Sequence, residues 1–136
     1  MLRIVDMVNF GPKATVPERY HGRKLYEHNP NVTLMRTTKD ECRQIGDFLV
    51  RKITSLAKNS TKVQIRVPLG GVSMIATPGA PFADQDADRE LFETVKNGLR
   101  SSGVHIVEDA RDINDQGFAI DIADQLMALM EPTAGQ

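Results

Sequence analysis

The chain has 136 residues, enough for one domain with one core, and its 40% hydrophobic and 26% charged content is ordinary for a globular protein. Aromatic content of 5%, with no tryptophan, requires a mainly aliphatic core. A net charge of −1 conceals an asymmetry, because residues 1–68 hold 13 Lys+Arg against 6 Asp+Glu while residues 69–136 hold 4 against 12.

Such a basic half attracts either an anionic ligand or partner, or the acidic half of its own chain. The cations are not clustered and few aromatics interleave with them, which argues against nucleic acid as a partner. No apolar run approaches the roughly 20 residues that cross a bilayer, and no signal peptide precedes the first strand, so neither a membrane partner nor secretion is expected. The lone Cys42 has no disulfide partner within the chain and lies on the apolar stripe of an expected helix. It reads as a buried core thiol, since no histidine neighbours it in sequence. These features together point to a soluble protein in a reducing, cytoplasmic setting.

In chain order, Leu2-Arg3-Ile4-Val5-Asp6-Met7-Val8 reads as a short buried strand. Residues 9–31 pass through Gly11-Pro12, Pro17, Gly22 and Asn29-Pro30 without periodicity. They read as a long irregular loop at a domain or subunit boundary, because structureless loops beyond about 15 residues are uncommon inside a compact domain. Residues 31–36 suit a second short strand. Thr38 and Glu41 form a capping box, and Cys42, Ile45, Leu49, Ile53 and Leu56 follow at helical spacing, giving a helix over 38–58. Val63, Ile65, Val67 and Leu69 alternate with polar residues as a strand, with Pro68 expected at its end.

Leu91, Phe92, Val95 and Leu99 mark a helix near 87–101, and Asp84, Asp86 and Asp88 at its entry complement the helix dipole. Gly103 ends it before a strand at 104–107. The last helix carries Asn114 as its expected N-cap, Ile113 and Phe118 as a hydrophobic staple, and Phe118, Ile122, Leu126 and Leu129 as its stripe. Strands alternating with amphipathic helices imply an α/β fold. The expectation is a three-layer, Rossmann-like open sheet, mostly parallel, with three to four strands and three helices. So few strands make residues 1–136 a single module that reads as the C-terminal portion of a larger domain.

In an open parallel sheet, ligands bind beyond the carboxyl ends of the strands. Those ends carry Asp6, Asn9 and Gly11; then Arg36, Thr37 and Thr38; then Gly70, Gly71 and Ser73; and finally Glu108, Asp109, Asp112 and Asn114. Gly70-Gly71 with Ser73 suits a phosphate cradle and equally a plain tight turn, for it matches no established phosphate fingerprint. Arg36-Thr37-Thr38 before a helix suits phosphate or carboxylate, or else simple capping. The aspartates at 84, 86 and 88 suit a hard cation, although capping explains them with fewer assumptions. His21, His28 and His105 have no metal-ligand spacing, so no metal site is expected. A serine-dependent hydrolase assembled from Ser73, His28 and Asp109 lacks the nucleophile-elbow motif.

Several runs together carry a resemblance: Asp6-Met7-Val8-Asn9-Phe10-Gly11, Val16-Pro17-Glu18-Arg19, His28-Asn29-Pro30, Val32 to Thr38, Gly71-Val72-Ser73, Pro78-Gly79 with Pro81-Phe82, and Ile113-Asn114-Asp115. With these, nearly the whole chain resembles the tobamovirus-resistance-protein-like ATP-binding domain family, whose microbial members form an uncharacterised protein family. The resemblance implies the C-terminal part of a second Rossmann-like domain, nucleotide binding with ATP and Mg²⁺, and homo-oligomers. It supplies no catalytic residue. A nucleotide- or phosphate-binding module is therefore expected, with Asp6, Asn9, Gly11, Arg36, Thr37, Thr38, Gly70, Gly71 and Ser73 lining one cleft. The alternative is a non-catalytic assembly module with its self-interface on residues 9–31.

Overall fold

Residues 6–130 are described by a computed structural model, and their first element is a strand, β1 (Met7–Phe10), with Val8 and Asn9 exposed. The buried strand expected over 2–8 is thus shifted and half exposed, and its residues 2–5 lie outside the described part. Two single 3₁₀ turns follow, Lys13–Thr15 and Glu18–Tyr20, each entered from a proline whose fixed φ suits a turn start. They fold back so that Val16 is buried.

Strand β2 (Leu25–Asn29) then pairs antiparallel with β3 (Val32–Arg36) through a tight turn at Pro30, where the Asn29 side chain accepts the Asn31 N–H at 2.9 Å. Strand β1 pairs antiparallel with the other edge of β3, from Met7 opposite Arg36 to Phe10 opposite Thr33. Residues 9–31 are therefore not an irregular loop: they hold the end of one strand, two turns and half of a hairpin. Only β3 is well buried in this sheet, which is why its neighbours gave no clear alternation.

Helix α1 (Lys39–Leu56) starts where expected, with both arms of the Thr38–Glu41 capping box formed. Cys42 and Leu49 are buried, whereas Leu56 is 69% exposed. Strand β4 (Gln64–Pro68) ends on its proline, as expected. Helix α2 (Gln85–Leu99) begins two residues earlier than its apolar stripe suggested, because Asp84 caps it by accepting the Ala87 N–H at 3.0 Å. Strand β5 (His105–Asp109) runs parallel to β4, Gln64 opposite His105 and Pro68 opposite Asp109. Among the described residues the result is an α/β fold with five strands in two small sheets, ordered β1-β3-β2 and β4-β5. A mostly parallel sheet of three or four strands is thereby corrected: three strands are antiparallel and only two are parallel.

Ile65 and Val67 of β4 join one core with Cys42 and Leu49 of α1 and Leu91, Val95 and Leu99 of α2. Gln64 and Arg66, on the opposite face by alternation, meet α3 (Gln116–Met130) instead. Asp115, not Asn114, caps α3, accepting the Phe118 N–H at 2.9 Å, so the expected staple is out of register by one. Phe118 is buried, but Leu126, expected in the core stripe, is exposed.

Helices α1 and α2 approach closely because two glycines remove a side chain at the crossing. A Cβ on Gly98 would sit 2.6 Å from Val50 Cγ2, and one on Gly46 would sit 2.8 Å from Thr94 Cβ. Gly98→Ala is expected to lower the unfolding free energy by about 1–2 kcal/mol, overpacking outweighing the roughly 1 kcal/mol gained in helix propensity. Urea denaturation of the variant beside Gly98→Ser, which carries the same Cβ, checks it; an unchanged midpoint in both would disprove the tight crossing.

Candidate functional site

Beyond the carboxyl ends of β4 and β5 the two following loops clasp each other through their backbones. Leu69 N–H donates to Asp109 O at 2.7 Å, Gly70 N–H to Arg111 O at 3.1 Å, and Ile113 N–H to Gly71 O at 3.0 Å. Gly71 N–H donates to Pro68 O at 3.2 Å. The glycine pair is thus a packing device whose amides already have protein acceptors. Gly70 has no room for a side chain, since a Cβ there would lie 2.7 Å from the Arg111 carbonyl carbon and from Asp112 N.

The clasp forms one wall of a cleft of about 580 Å³, with Glu108 beside it and the first turns of α2, from Asp84 to Phe92, opposite. Its charged lining is acidic: Asp84, Asp86, Asp88, Glu93 and Glu108 face it together with a single cation, Arg89. Asp86 is paired with Arg89 at 3.4 Å, and Glu93 and Glu108 share Lys96 at 2.6 Å each.

Behind the cleft lies a buried polar cluster. Arg36, at the end of β3, is 2% exposed, far from the solvated cation that its type suggests. Its Nε donates to Phe82 O at 3.1 Å, its Nη1 to Asp6 O and Thr37 Oγ1 at 3.3 Å, and its Nη2 pairs with the Asp88 carboxylate. The Asp6 carboxylate lies 4.0 Å from Arg36 Nη1 and accepts the Ser73 hydroxyl at 2.7 Å. Thr37 Oγ1 also bonds Asp6 O and lies 3.4 Å from Cys42 Sγ. Burial pushes the Asp88 carboxyl above the usual carboxylate range, against the pull of Arg36, and burial likewise raises the Cys42 thiol. Cys42 is the buried core thiol that the sequence suggested.

The structure therefore brings Asp6, Arg36, Thr37 and Ser73 together, with Asp88 as the member that reaches the cleft. Gly70 and Gly71 stand on the cleft wall. Thr38 is exposed and caps α1. Asn9 and Gly11 are exposed at the far end of β1. The reason is the antiparallel pairing: the carboxyl ends of β1 and β3 point to opposite ends of their sheet, so residues following the two strands do not converge.

The remaining sequence candidates have structural partners. His21 Nε2 bonds Val16 O at 3.0 Å, His105 Nδ1 bonds Gln64 Nε2 at 3.1 Å, and His28 lies against Tyr26. Ser73 bonds Asp6 and Asp109 bonds Arg111, so the paper triad with His28 is not a set of mutual partners. Among the described residues no group of three or more His, Cys, Asp or Glu is placed to hold a metal ion, and no helix is long and apolar enough to cross a membrane.

A second charged network escaped the sequence reading. Arg66 of β4 bonds Asp121 of α3 at 2.9 Å and Asp109 at 3.3 Å, while Arg111 bonds Asp109 at 2.6 Å and pairs with Asp121. Hydrogen bonds from Arg111 hold the Asp109 carboxyl well below the usual range, and those from Arg111 and Arg66 lower the Asp121 carboxyl. The one signal in the sequence was Arg66 standing among Val63, Ile65 and Val67. Arg36–Asp88, Lys39–Glu90 and Arg66–Asp121 all join the basic half of the chain to the acidic half, so part of the charge asymmetry is met internally.

Comparison with known proteins adds relatives to this geometry. The profile of the "Uncharacterised protein family (UPF0261) C-terminal domain" matches residues 3–130. A UPF0261 protein of Clostridium tetani is 44% identical over 127 residues, covering 93% of this chain and 31% of that protein. A second UPF0261 protein, from Mesorhizobium japonicum, is 44% identical over 120 residues, 88% of this chain and 30% of its own length. The tomato ToMV resistance protein Tm-1(GCR237) is 37% identical over 129 residues, 92% of this chain and 16% of that protein. The chain thus spans less than a third of the bacterial relatives' length and about a sixth of the tomato protein's.

Proposed function

The chain belongs to the UPF0261 C-terminal domain family, and from that premise we propose that it forms one wall of a nucleotide-binding crevice, with ATP bound as its Mg²⁺ complex. The observation that carries this reading is the position of the cleft. It lies beyond the carboxyl ends of both parallel strands and against the start of α2, where ligands sit in Rossmann-like α/β folds. We take β4, α2, β5 and α3 as the core of such an arrangement. A volume of about 580 Å³ suits a ligand of nucleotide size.

The residues present set terms on how a nucleotide fits. The glycine amides are engaged and Arg36 is enclosed, so neither meets phosphate directly. Arg89 and the start of α2, where Gln85 and Asp86 are exposed, remain on the anion side. The carboxylates outnumber Arg89, which opposes a free polyphosphate and favours one carrying Mg²⁺, an ion usually held by one or two carboxylates plus phosphate oxygens. The buried thiol of Cys42 fits a reducing, cytoplasmic setting. The proposed role is binding, with no reaction assigned.

Thermal unfolding with millimolar ATP–Mg²⁺, against an equal ionic-strength control and ATP with EDTA, tests the reading. Ligand at about 100 times its Kd should raise stability by about 2.7 kcal/mol. The shift should need Mg²⁺ and shrink in Arg89→Glu. Equal melting in all conditions would reject a nucleotide site in this chain.

A second reading, assembly, is favoured by a separate observation: Ile120, Leu126, Met127 and Met130 leave α3 apolar on its outer side. The exposed large apolar side chains lie outside residues 9–31, so an assembly surface is better sought on the helices.

A further inference from the structure

Helix α3 is fastened differently from the other two. Six residues of α2 and three of α1 are buried, but Phe118 is the one buried residue of α3. Polar contacts add to that anchor. Asp121 Oδ2 accepts Arg66 Nη1 at 2.9 Å and pairs with Arg111 Nη2, while Gln64 Nε2 donates to Gln125 Oε1 at 3.4 Å. The Arg111 guanidinium lies against the first turn of the helix, 3.8 Å from Asp115 Oδ1, and a Cβ on Gly117 would be 2.6 Å from its Nη1.

Two residues of this network also build the cleft wall with their backbones. Asp109 O accepts the Leu69 N–H and Arg111 O accepts the Gly70 N–H. The Asp109 carboxylate holds the Arg111 side chain through Nε at 2.9 Å and Nη2 at 2.6 Å. Asp109 and Arg111 are thus shared, their side chains joining the network of α3 and their carbonyls joining the clasp.

Arg66 shows how α3 can leave. Its Nε is buried and has no acceptor among the described residues, and its guanidinium lies 6.0 Å from the centre of the Phe118 ring. A buried donor without a partner carries a desolvation penalty, which water relieves once Phe118 lifts away. Elements with few buried apolar contacts open locally, well short of global unfolding.

We infer that α3 is a latch on the cleft wall: it opens as a unit while the α1–α2 core stays folded, and its opening loosens the clasp between the loops after β4 and β5. Only what fills the cleft rests on the nucleotide reading. A ligand that needs a closed wall favours docked α3, and docked α3 favours that ligand by the same factor.

Native-state hydrogen exchange of the ligand-free chain, followed amide by amide by NMR, tests the latch apart from any nucleotide. Amides within α3 should exchange through an opening that α1 and α2 do not share, faster than theirs but slower than in an unfolded chain. Asp121→Asn should quicken exchange across α3 and at Gly70 and Ile113 together, by about three- to tenfold, leaving α1 and α2 at parental rates. Asp124→Asn, at an exposed carboxylate of the same helix, should change none of them. Exchange of α3 in step with α1 and α2, or at the rate of an unfolded chain, overturns the latch. So does an Asp121→Asn variant that leaves Gly70 and Ile113 at parental rates or quickens α1 and α2 equally, or an Asp124→Asn variant that matches it. If the expected exchange is seen and ATP–Mg²⁺ shifts no melting, the latch stands and the nucleotide falls.

Discussion

Arg36→Ala is expected to lower the unfolding free energy by about 3–5 kcal/mol, a large fraction of the roughly 5–15 kcal/mol typical of a domain. The size of the effect comes from what the substitution leaves behind. Asp88 and Asp6 would remain buried without their shared cation, and Phe82 O would lose its guanidinium donor. Removing one partner of a buried ion pair is worse than never having had the pair, because the surviving charge keeps its desolvation penalty. Arg36→Lys should recover little, since one ammonium cannot reach Phe82 O, Asp6 O and Asp88 in the fixed directions of a guanidinium. Chemical denaturation checks this, with Arg36→Met/Asp88→Leu as the control. The double variant removes both charges and should be closer to the parent than Arg36→Ala is. A single variant within about 1 kcal/mol of the parent would show that Arg36 is solvated after all.

Gly70→Ala is the second large effect, about 3 kcal/mol, at the top of the range for overpacking. Its added carbon would meet backbone atoms of Ala110, Arg111 and Asp112, which cannot rotate aside as a side-chain tip can. The loops must part, which lengthens the Gly70–Arg111 hydrogen bond and opens one wall of the cleft. Ligand-free denaturation measures the loss. If an ATP–Mg²⁺ thermal shift exists, it should fall in this variant more than in Gly98→Ala, which lies away from the cleft. Parental stability in Gly70→Ala would mean that the two loops are not clasped.

The sequence was most legible where local rules govern. Thr38 and Glu41 announced the start of α1, and the spacing of Leu91, Val95 and Leu99 announced α2, because capping and amphipathicity act over a few residues. The hairpin was not legible. Leu25-Tyr26-Glu27-His28-Asn29 gives no strict alternation, and Asn29-Pro30-Asn31 reads as loop as readily as turn. What decides the matter is a partner strand, and pairing direction is not written in either strand alone. The expected site suffered from the same cause. Grouping residues by strand ends assumed parallel pairing, which holds for β4 and β5 and fails for β1 and β3. Arg36 was found as a candidate, but its enclosure depends on Asp88, 52 positions away. The exposure of Leu126 departs from the expected stripe of α3, because apolar spacing marks a face without specifying what covers it.

The two sheets also differ in how they can come into being. Strands β2 and β3 adjoin in sequence, so their pairing closes a very short loop and should form within microseconds of the start of folding. The β4–β5 ladder joins Gln64 to His105 across 41 positions and must wait for α2 to be laid between them. Arg36 stands on the early piece and Asp88 on the late one. Until α2 docks, the guanidinium that later disappears into the core is still hydrated at the end of a small open sheet. On that order its dehydration follows the docking of α2, so substitutions that weaken this pair are expected to quicken unfolding more than they slow folding, which the two arms of a denaturant chevron measure.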